Sequence, residues 1–232
     1  MMKIILGADP HTVIATTLVL TVCVGASSAV GHFRAGRVDR WMVKILIPPA
    51  VVMALAGVWV GNRFSGESSV WLWRLFGAFL VYVAIDNVRR MWRPPSPEPA
   101  PGTPPAARPP LVATGAVGAV VGFLAGLLGV GGGAFAVPLQ QVLLKQRLRT
   151  AIANSSVLMI LPCAVAAVEK HLTLGALGVD PVRPWLYVAL LAPTAMLGAF
   201  IGSHVVHRVP LRWVRGIFVV FLAWTAWKLL TA

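Results

Sequence analysis

The sequence predicts an all-α, polytopic helical membrane protein that is built from two related halves. Hydrophobic residues make up 58% of the 232 residues and charged residues only 12%, and the mean hydropathy is +0.81. This composition has too little polar surface for a soluble monomer of such length. The net charge of +13 does not indicate nucleic-acid binding, because the basic residues lie in short gaps between apolar runs, as the flanks of membrane helices do.

Apolar segments follow one another along the chain and define the predicted helices. They span residues 12–31, 41–60, 71–91, 111–128, 134–144, 151–168, 184–201 and 213–230. A bilayer crossing needs about 20 apolar residues, and segment 134–144 is too short for one, as a half-helix would be. We therefore predict about seven transmembrane segments with a broken glycine-rich hairpin. Tryptophans at the segment ends suit the headgroup level of a bilayer; they are Trp41, Trp71, Trp73, Trp92, Trp185 and Trp213.

A proline-rich stretch divides the chain. Residues 93–110 read RPPSPEPAPGTPPAARPP, which favours an extended connector and excludes a helix. We expect a first membrane repeat over 1–92, a linker over 93–110 and a second membrane repeat over 111–232.

The two halves share landmarks in the same order. TVIATTLVL at 12–20 matches TAIANSSVL at 150–158; a glycine, Gly36 or Gly175, then precedes Val-Asp; Gly-x-x-x-Gly follows at 57–61 and 198–202; and Leu-Trp-Arg at 72–74 matches Arg-Trp-Val-Arg at 212–215. Duplicated halves are common in secondary transporters. The first half lacks any counterpart of 111–149. We interpret this as a truncated reading frame or a natural variant with one glycine-rich element.

The distribution of lysine and arginine favours one topology. If 111–144 crosses the membrane once, the 20 basic residues divide almost equally between the two sides. If the segment enters and returns as a hairpin, all but six fall on one side, which satisfies the positive-inside rule far better. The six are Lys3, Arg63, Arg74, Lys170, Arg183 and Lys228. The hairpin also makes the duplication a probable inverted repeat with both termini on the non-cytoplasmic face.

The stretch GFLAGLLGVGGGAFAVP at 122–138 interrupts an otherwise continuous apolar run. Each glycine costs roughly 1 kcal/mol in a helix interior, so we predict that the helix stops at 129–133 and restarts near Ala134. A P-loop is disfavoured, because Ala134-Phe135 stands where Lys-Ser/Thr is required. A dinucleotide fingerprint is disfavoured as well, because the strand-turn-helix context is absent.

We assign two roles to these glycines. Gly118, Gly122 and Gly126 have the small-x-x-x-small spacing that lets helices approach closely. Residues Gly131, Gly132 and Gly133 are better explained by an unwound turn, whose backbone N–H groups at the start of the next helix suit an anion. Broken backbone at membrane depth is tolerated where it is buried in protein or lines a cavity.

Polar residues beside the glycines complete the predicted site. Asn154, Ser155 and Ser156 open the 151–168 segment, and Thr16 and Thr17 occupy the equivalent positions of the first half. Their hydroxyl and amide donors would replace water around an anion. The alternative for the Asn-Ser-Ser group is a helix N-cap, a position that asparagine and serine favour.

The remaining chemistry-bearing residues predict no catalytic or metal site. Asp86 and Glu169 lie near segment ends beside basic residues, so we expect interfacial groups rather than a proton relay. Cys23 and Cys163 lie inside apolar runs and are expected to be inert. With no paired carboxylate, triad or metal cluster in the sequence, we predict no cofactor and no enzyme.

Two motifs resemble the second-half signature of a known family. They are GLLGVGGGAFAVPL at 126–139 and AIANSS at 151–156. The family is the sulfite exporter TauE/SafE family, also called the toluene sulfonate uptake permease family. The resemblance implies a multi-pass transporter of the cell (inner or plasma) membrane for sulfite, thiosulfate, organosulfonates or related small organic anions. The duplicated halves and the helix break independently predict a site near the bilayer midplane at the broken helix. Family members normally carry a glycine-rich element in each half, and here the first is missing. An anion channel and a non-transporting accessory subunit therefore stay open as alternatives, and a homodimer would supply a second hairpin.

Overall fold

The structure is a computed structural model that describes residues 10–63, 78, 81–82, 84–85, 87–89, 108–129, 133–206 and 208–230. The described residues form helices and no strand, so the predicted all-α class is confirmed. The helices are α1 (Pro10–Arg34), α2 (Arg40–Arg63), α3 (Leu111–Leu128), α4 (Gly133–Val142), α5 (Leu148–Leu158), α6 (Ile160–Leu174), α7 (Arg183–Val205) and α8 (Leu211–Leu230). A 3-10 turn, Gly175–Leu177, follows α6.

Five stretches of the described chain are long and apolar enough to cross a membrane. They are His11–Arg34, Arg40–Arg63, Leu111–Leu128, Leu148–Leu177 and Arg183–Val205. The fourth combines α5 and α6, which meet at Met159 with little change of backbone conformation. The seventh span stays a prediction. Segment 71–91 and the linker at 93–110 lie largely outside the described residues, and the domain boundaries also stay predictions.

Helices α2 and α3 run side by side in the same direction, and glycines allow their close approach. A methyl group on any of three α3 glycines would overlap a backbone carbonyl of α2. The overlapping pairs are Gly118 with Leu46, Gly122 with Ala50 and Gly126 with Ala54. The predicted packing role of these glycines is therefore confirmed, because the two backbones leave no space for a side chain.

Helices α1 and α7 also run parallel to each other. The Ser27 hydroxyl donates to the Met196 carbonyl at 2.8 Å, and Gly31 lies against Ser203 seven residues further along α7. Helices α5 and α6 run opposite to α1, because Gly25 faces Ser156 whereas His11 contacts Lys170. Helix α1 thus packs on α6 and α7, rather than mainly on α2, its neighbour in the chain.

The chain reverses direction between α3 and α5. Helix α5 continues into α6 parallel to α2, since Asn154 contacts the start of α2 and Lys170 contacts its end at Asn62. Helix α3 has the same direction. Residues 129–147 therefore return to the side on which α3 began, as the predicted hairpin does.

These directions bring most of the described basic residues to one end of the bundle. The ends of α1 and α7 and the starts of α2, α3 and α5 meet there, and Arg108 lies 5.1 Å from the centre of the Trp41 ring. We call this end the basic face; it carries Arg34, Arg37, Arg40, Arg108, Lys145, Arg147, Arg149 and Arg208. Arg63, Lys170 and Arg183 lie at the opposite end, which we call the outer face. The positive-inside rule predicts that the basic face is cytoplasmic.

The two loops matched by sequence have the same local structure, with one correction to the match. Gly36 and Gly178 both have positive φ, 61° and 70°. In both loops the next N–H donates to a carbonyl five residues earlier, Arg37 to His32 and Val179 to Leu174. The counterpart of Gly36 is therefore Gly178 rather than Gly175, because only the residue at the helix end must adopt the left-handed conformation. The inverted repeat itself stays a prediction.

Candidate functional site

The glycine-rich segment breaks the helix where the sequence predicts. Helix α3 ends at Leu128, and the N–H of Gly129, with φ of 63°, donates to the Ala125 carbonyl at 2.9 Å. Helix α4 begins at Gly133. A left-handed glycine is a common way to end a helix, because it costs no steric strain. Gly131 and Gly132 lie outside the described residues.

The start of the break, Gly129, lies against α1. A side chain at Gly129 would lie 2.8 Å from the Cα atom of Ile14. Thr16 and Thr17 follow Ile14 within the next turn of α1. The structure thus brings Gly129, which precedes the predicted glycine site, near the predicted threonine pair, although the two are far apart in sequence.

Asn154, Ser155 and Ser156 lie in the middle of α5, not at its start. The helix begins at Leu148, and its N-cap is Arg147, which makes no side-chain capping bond. The N-cap interpretation of the Asn-Ser-Ser group is therefore wrong. The helix starts earlier than the apolar run because Leu148 is 2% exposed and packs with Val137 and Ala151.

Asn154 joins α5 to the start of α2. Its Oδ1 accepts a hydrogen bond from the backbone N–H of Asp39 at 2.8 Å, and its Nδ2 lies 3.4 Å from the Met42 sulfur. The Asp39 carboxylate in turn accepts the N–H of Met42 at 3.1 Å and so caps α2. Asn154 is fully buried. It therefore has a structural role in this conformation, and the acceptor that the described residues offer its amide N–H groups is the weakly accepting Met42 sulfur.

The predicted hydroxyl ligands all donate to their own helix. Thr16 donates to the Thr12 carbonyl at 2.8 Å, Thr17 to the Val13 carbonyl at 2.8 Å, Ser155 to Ala151, and Ser156 to Ile152 at 3.0 Å. Such bonds satisfy a hydroxyl where no water is present. A hydroxyl has one hydrogen to donate. In this conformation the four groups therefore present lone pairs, and not hydrogens, to their surroundings.

The two polar groups lie at different depths in the bundle. Gly25 of α1 faces the Ser156 carbonyl oxygen at 3.0 Å. Thr17 precedes Gly25 by two helical turns, a distance of about 12 Å along α1. The structure therefore does not bring all predicted ligands to one point: the threonines lie toward the outer face and the Asn-Ser-Ser group toward the basic face.

The comparison with known proteins identifies the family. The model of the family "Sulfite exporter TauE/SafE" matches residues 1–229. The chain belongs to the TauE/SafE family. It is 27% identical to the probable membrane transporter protein MamO of Magnetospirillum gryphiswaldense over 99% of this chain and 40% of MamO. It is 26% identical to the probable membrane transporter protein YunE of Bacillus subtilis over 86% of this chain and 73% of YunE.

A third relative, from Haemophilus influenzae, is also described as a probable membrane transporter protein; it is 31% identical over 49% of this chain and 43% of its own length. This TauE/SafE chain spans 40% of the length of the MamO proteins. No solved structure matches it. The names are those of membrane transporters and not of enzymes, and the family and its apolar helices make the chain a multi-pass membrane protein.

The half-helix α4 of this TauE/SafE protein carries a buried polar residue that was not predicted from the sequence. Gln140 in α4 is fully buried, and both its Oε1 and its Nε2 are without a hydrogen-bond partner in the described part of the chain. The signal in the sequence is the pair Gln140-Gln141 inside the short apolar segment 134–144, where no polar residue is needed to form a helix.

A second missed group lies near the outer face. The Lys170 ammonium is buried and contacts His11 Nδ1 at 2.8 Å and the Asn62 side-chain oxygen. Asn62 also donates to the Thr173 hydroxyl at 3.2 Å. This network joins α1, α2 and α6. Its lysine was counted only as a membrane flank in the sequence, because it lies just beyond the 151–168 segment.

Proposed function

We propose that this protein is a carrier for small anions, in the class of sulfite, thiosulfate, organosulfonates and related organic anions. The observation that supports this proposal is the helix break in a member of a transporter family. Helix α3 ends at Leu128, α4 begins at Gly133, and Gly129 between them packs against Ile14 of α1. We further propose that it works in the cell membrane with the basic face toward the cytoplasm.

The break offers the electrostatics that an anion needs. The first turn of α4 has backbone N–H groups without intrahelical partners, and the helix dipole places partial positive charge there. Gly131, Gly132 and Gly133 would let an anion approach those N–H groups closely, because glycine has no side chain. Backbone donors carry no full charge, so the bound anion is also able to leave.

The threonine and Asn-Ser-Ser groups would serve the anion at two depths. Thr16 and Thr17 lie near the break, and Asn154, Ser155 and Ser156 lie about 12 Å further toward the basic face. Each hydroxyl would have to rotate away from its own helix carbonyl to donate to the anion. We propose that this rotation accompanies passage between an outer and an inner position.

Helix directions support the proposed inverted repeat. Helix α1 runs opposite to its counterpart α5–α6, and α2 runs opposite to its counterpart α7, as derived from the contacts of Gly25, Gly31 and Lys170. Helix α1 packs on α7, and α6 correspondingly packs on α2. If each helix is replaced by its counterpart in the other half, the α1–α7 contact becomes the contact between α5–α6 and α2, which is also present. Alternating access in inverted-repeat transporters uses such a relation. A homodimer, which would add a second hairpin, stays a prediction.

The test is transport by the purified chain in liposomes. Uptake of sulfite, thiosulfate and methanesulfonate would be followed for the wild type, for Gly132→Leu, and for the combined Ser155→Ala and Ser156→Ala variant. Gly115→Leu is the matched control, because Gly115 lies in α3 and no atom of the described residues outside the α3 backbone lies within 4 Å of the position that an added Cβ would take. Saturable flux that both site variants abolish and the control retains is the expected result.

Other outcomes separate the alternatives. Flux that does not saturate and shows no counterflow would indicate a channel. Folded wild-type protein that moves none of the three anions would contradict the carrier and indicate an accessory subunit. Flux that persists in Gly132→Leu would place the site away from the glycine break.

A further inference from the structure

The half-helix α4 carries a buried amide that nothing in the described part of the fold satisfies. Gln140 is 0% exposed, and neither Oε1 nor Nε2 has a hydrogen-bond partner among the described residues. Its backbone, by contrast, is engaged: the carbonyl accepts the N–H of Gln146 at 3.0 Å in the turn that ends the hairpin. The side chain is therefore not needed to form the turn or the helix.

Gln140 lies on a face of α4 that packs against the central core. Ala136 lies one turn earlier on the same face of α4 and belongs to the central core, and so does Leu144 just beyond the helix. The same core contains Met42, whose sulfur is the weak acceptor for the Asn154 amide. Two side-chain amides thus border one core, and among the described residues the N–H groups of both lack a strong acceptor there.

The burial of the Gln140 amide has an energetic cost that its structural surroundings do not explain. A buried amide without partners destabilises the fold, and the hydrocarbon interior has no bulk water to compensate it. An apolar residue of the same length at this position would pack without that cost. Buried polar groups without a structural partner are typical of functional sites, where stability is lost for binding.

We propose that the Gln140 amide is a ligand for the transported anion inside the hairpin. This inference rests on the proposed carrier function. The backbone N–H groups at the glycine break reach an anion only at the start of α4. The Gln140 amide offers the anion a second donor further along α4, beside the core that Asn154 also borders.

The chemistry of an amide defines the class of anion. Its N–H and C=O lie side by side in one plane, one as donor and one as acceptor. An oxyanion that retains a proton, such as hydrogensulfite, matches both: one oxygen accepts from Nε2, and the O–H donates to Oε1. A sulfonate without a proton engages only Nε2. Gln140 therefore favours the singly protonated oxyanion over a sulfonate of similar size.

The experiment combines transport with thermal stability. Gln140→Met keeps the length of the side chain and removes both polar atoms. We expect sulfite flux at a pH where hydrogensulfite is present to fall at least about tenfold, methanesulfonate flux to fall less, and the unfolding temperature in detergent to stay or rise. The matched control is Thr114→Val, because the buried Thr114 hydroxyl donates to the Pro110 carbonyl at 3.0 Å. It should lower the unfolding temperature and leave flux unchanged.

The outcomes distinguish this proposal from the carrier function. If the wild type transports and Gln140→Met transports equally well, the amide is not a ligand. If Gln140→Met lowers both stability and flux, the amide has a structural role, and the proposal is overturned. If the wild type transports neither anion, the proposed carrier function is contradicted. Sulfite binding to the wild type and to Gln140→Met, measured by tryptophan fluorescence, then tests the ligand role separately. Equal affinities would overturn the ligand role of Gln140.

Discussion

Single side chains in this protein serve the contacts between helices before they serve any ligand. Asn154 is the clearest case, since its Oδ1 accepts the N–H that precedes α2 and its Nδ2 contacts Met42. The hydroxyls of Ser155 and Ser156, on the same turn, instead donate to their own helix. Asn154 therefore contributes more to the packing of helices than its two serine neighbours, because its side chain connects two helices and theirs bond within one.

Replacement of Asn154 tests that difference. Asn154→Ala should lower the free energy of unfolding by about 1–3 kcal/mol, because the Asp39 N–H loses its acceptor in a buried place. Ser156→Ala should change it by less than about 1 kcal/mol, because only a bond within one helix is lost. Thermal unfolding in detergent measures both. Equal losses would contradict the bridging role of Asn154.

At the scale of elements, small residues decide which helices approach closely. The α2–α3 pair has the most extensive contact between described helices, and its glycines lie against carbonyl groups rather than side chains. Glycines of α7 are different: no atom of the described residues outside the α7 backbone lies within 4 Å of a Cβ added at Gly198 or Gly202. The Gly-x-x-x-Gly pair of the first half, Gly57 and Gly61, thus contacts α3, whereas its counterpart in the second half contacts no described residue in this way.

Substitution in α3 should reveal this contact. Gly122→Ala should destabilise the protein by about 1–3 kcal/mol, because the methyl group overlaps the Ala50 backbone and the helices must separate. Gly115→Ala, in the same helix and with no described neighbour within 4 Å of the added methyl group outside its own helix backbone, should be neutral or stabilising by up to about 1 kcal/mol through helix propensity. Comparison of the two unfolding temperatures checks the prediction. A stable Gly122→Ala protein would show that the helices are not held at this distance.

The network around Lys170 should hold three elements together at the outer face. Lys170→Met should lower the free energy of unfolding by about 1–3 kcal/mol, because His11 and Asn62 lose contacts with a charged group. Arg63→Met is the control, since Arg63 lies at the same end of α2 but is exposed and stacks on Trp59 at 3.6 Å. Similar unfolding temperatures of the two variants would indicate that the contacts of Lys170 with His11 and Asn62 do not stabilise the fold.

For the whole molecule, the direction of each helix defines which loops share a side. Because α3 and α5 both run parallel to α2, the hairpin brings Lys145 back to the side of Arg108. Val182, between the 3-10 turn and α7, lies on the other side and is 68% exposed. The basic face and the outer face therefore differ in charge, as the positive-inside rule requires of an oriented membrane protein.

Labelling of introduced cysteines in intact cells tests this topology. In a background with Cys23→Ala and Cys163→Ala, we expect Val182→Cys to react with a membrane-impermeant maleimide from outside. Arg108→Cys and Lys145→Cys should react only after permeabilisation, because both lie on the basic face. Reaction of Arg108→Cys and Lys145→Cys from opposite sides would show that 111–144 crosses once and would contradict the hairpin.

Features that depend on local chemistry are predictable from the order of residues alone. Hydropathy decides that the segments are membrane helices, and the run of glycines after Leu128 decides where a helix ends, because backbone freedom is a property of the residue itself. The spacing of Gly118, Gly122 and Gly126 likewise indicated a close contact. Features that depend on which helices meet become visible in the folded chain alone. They are the bridge from Asn154 to Asp39, the burial of Lys170 and the Gln140 amide without a partner among the described residues. All three depend on residues distant in the chain, and no periodicity encodes such partners.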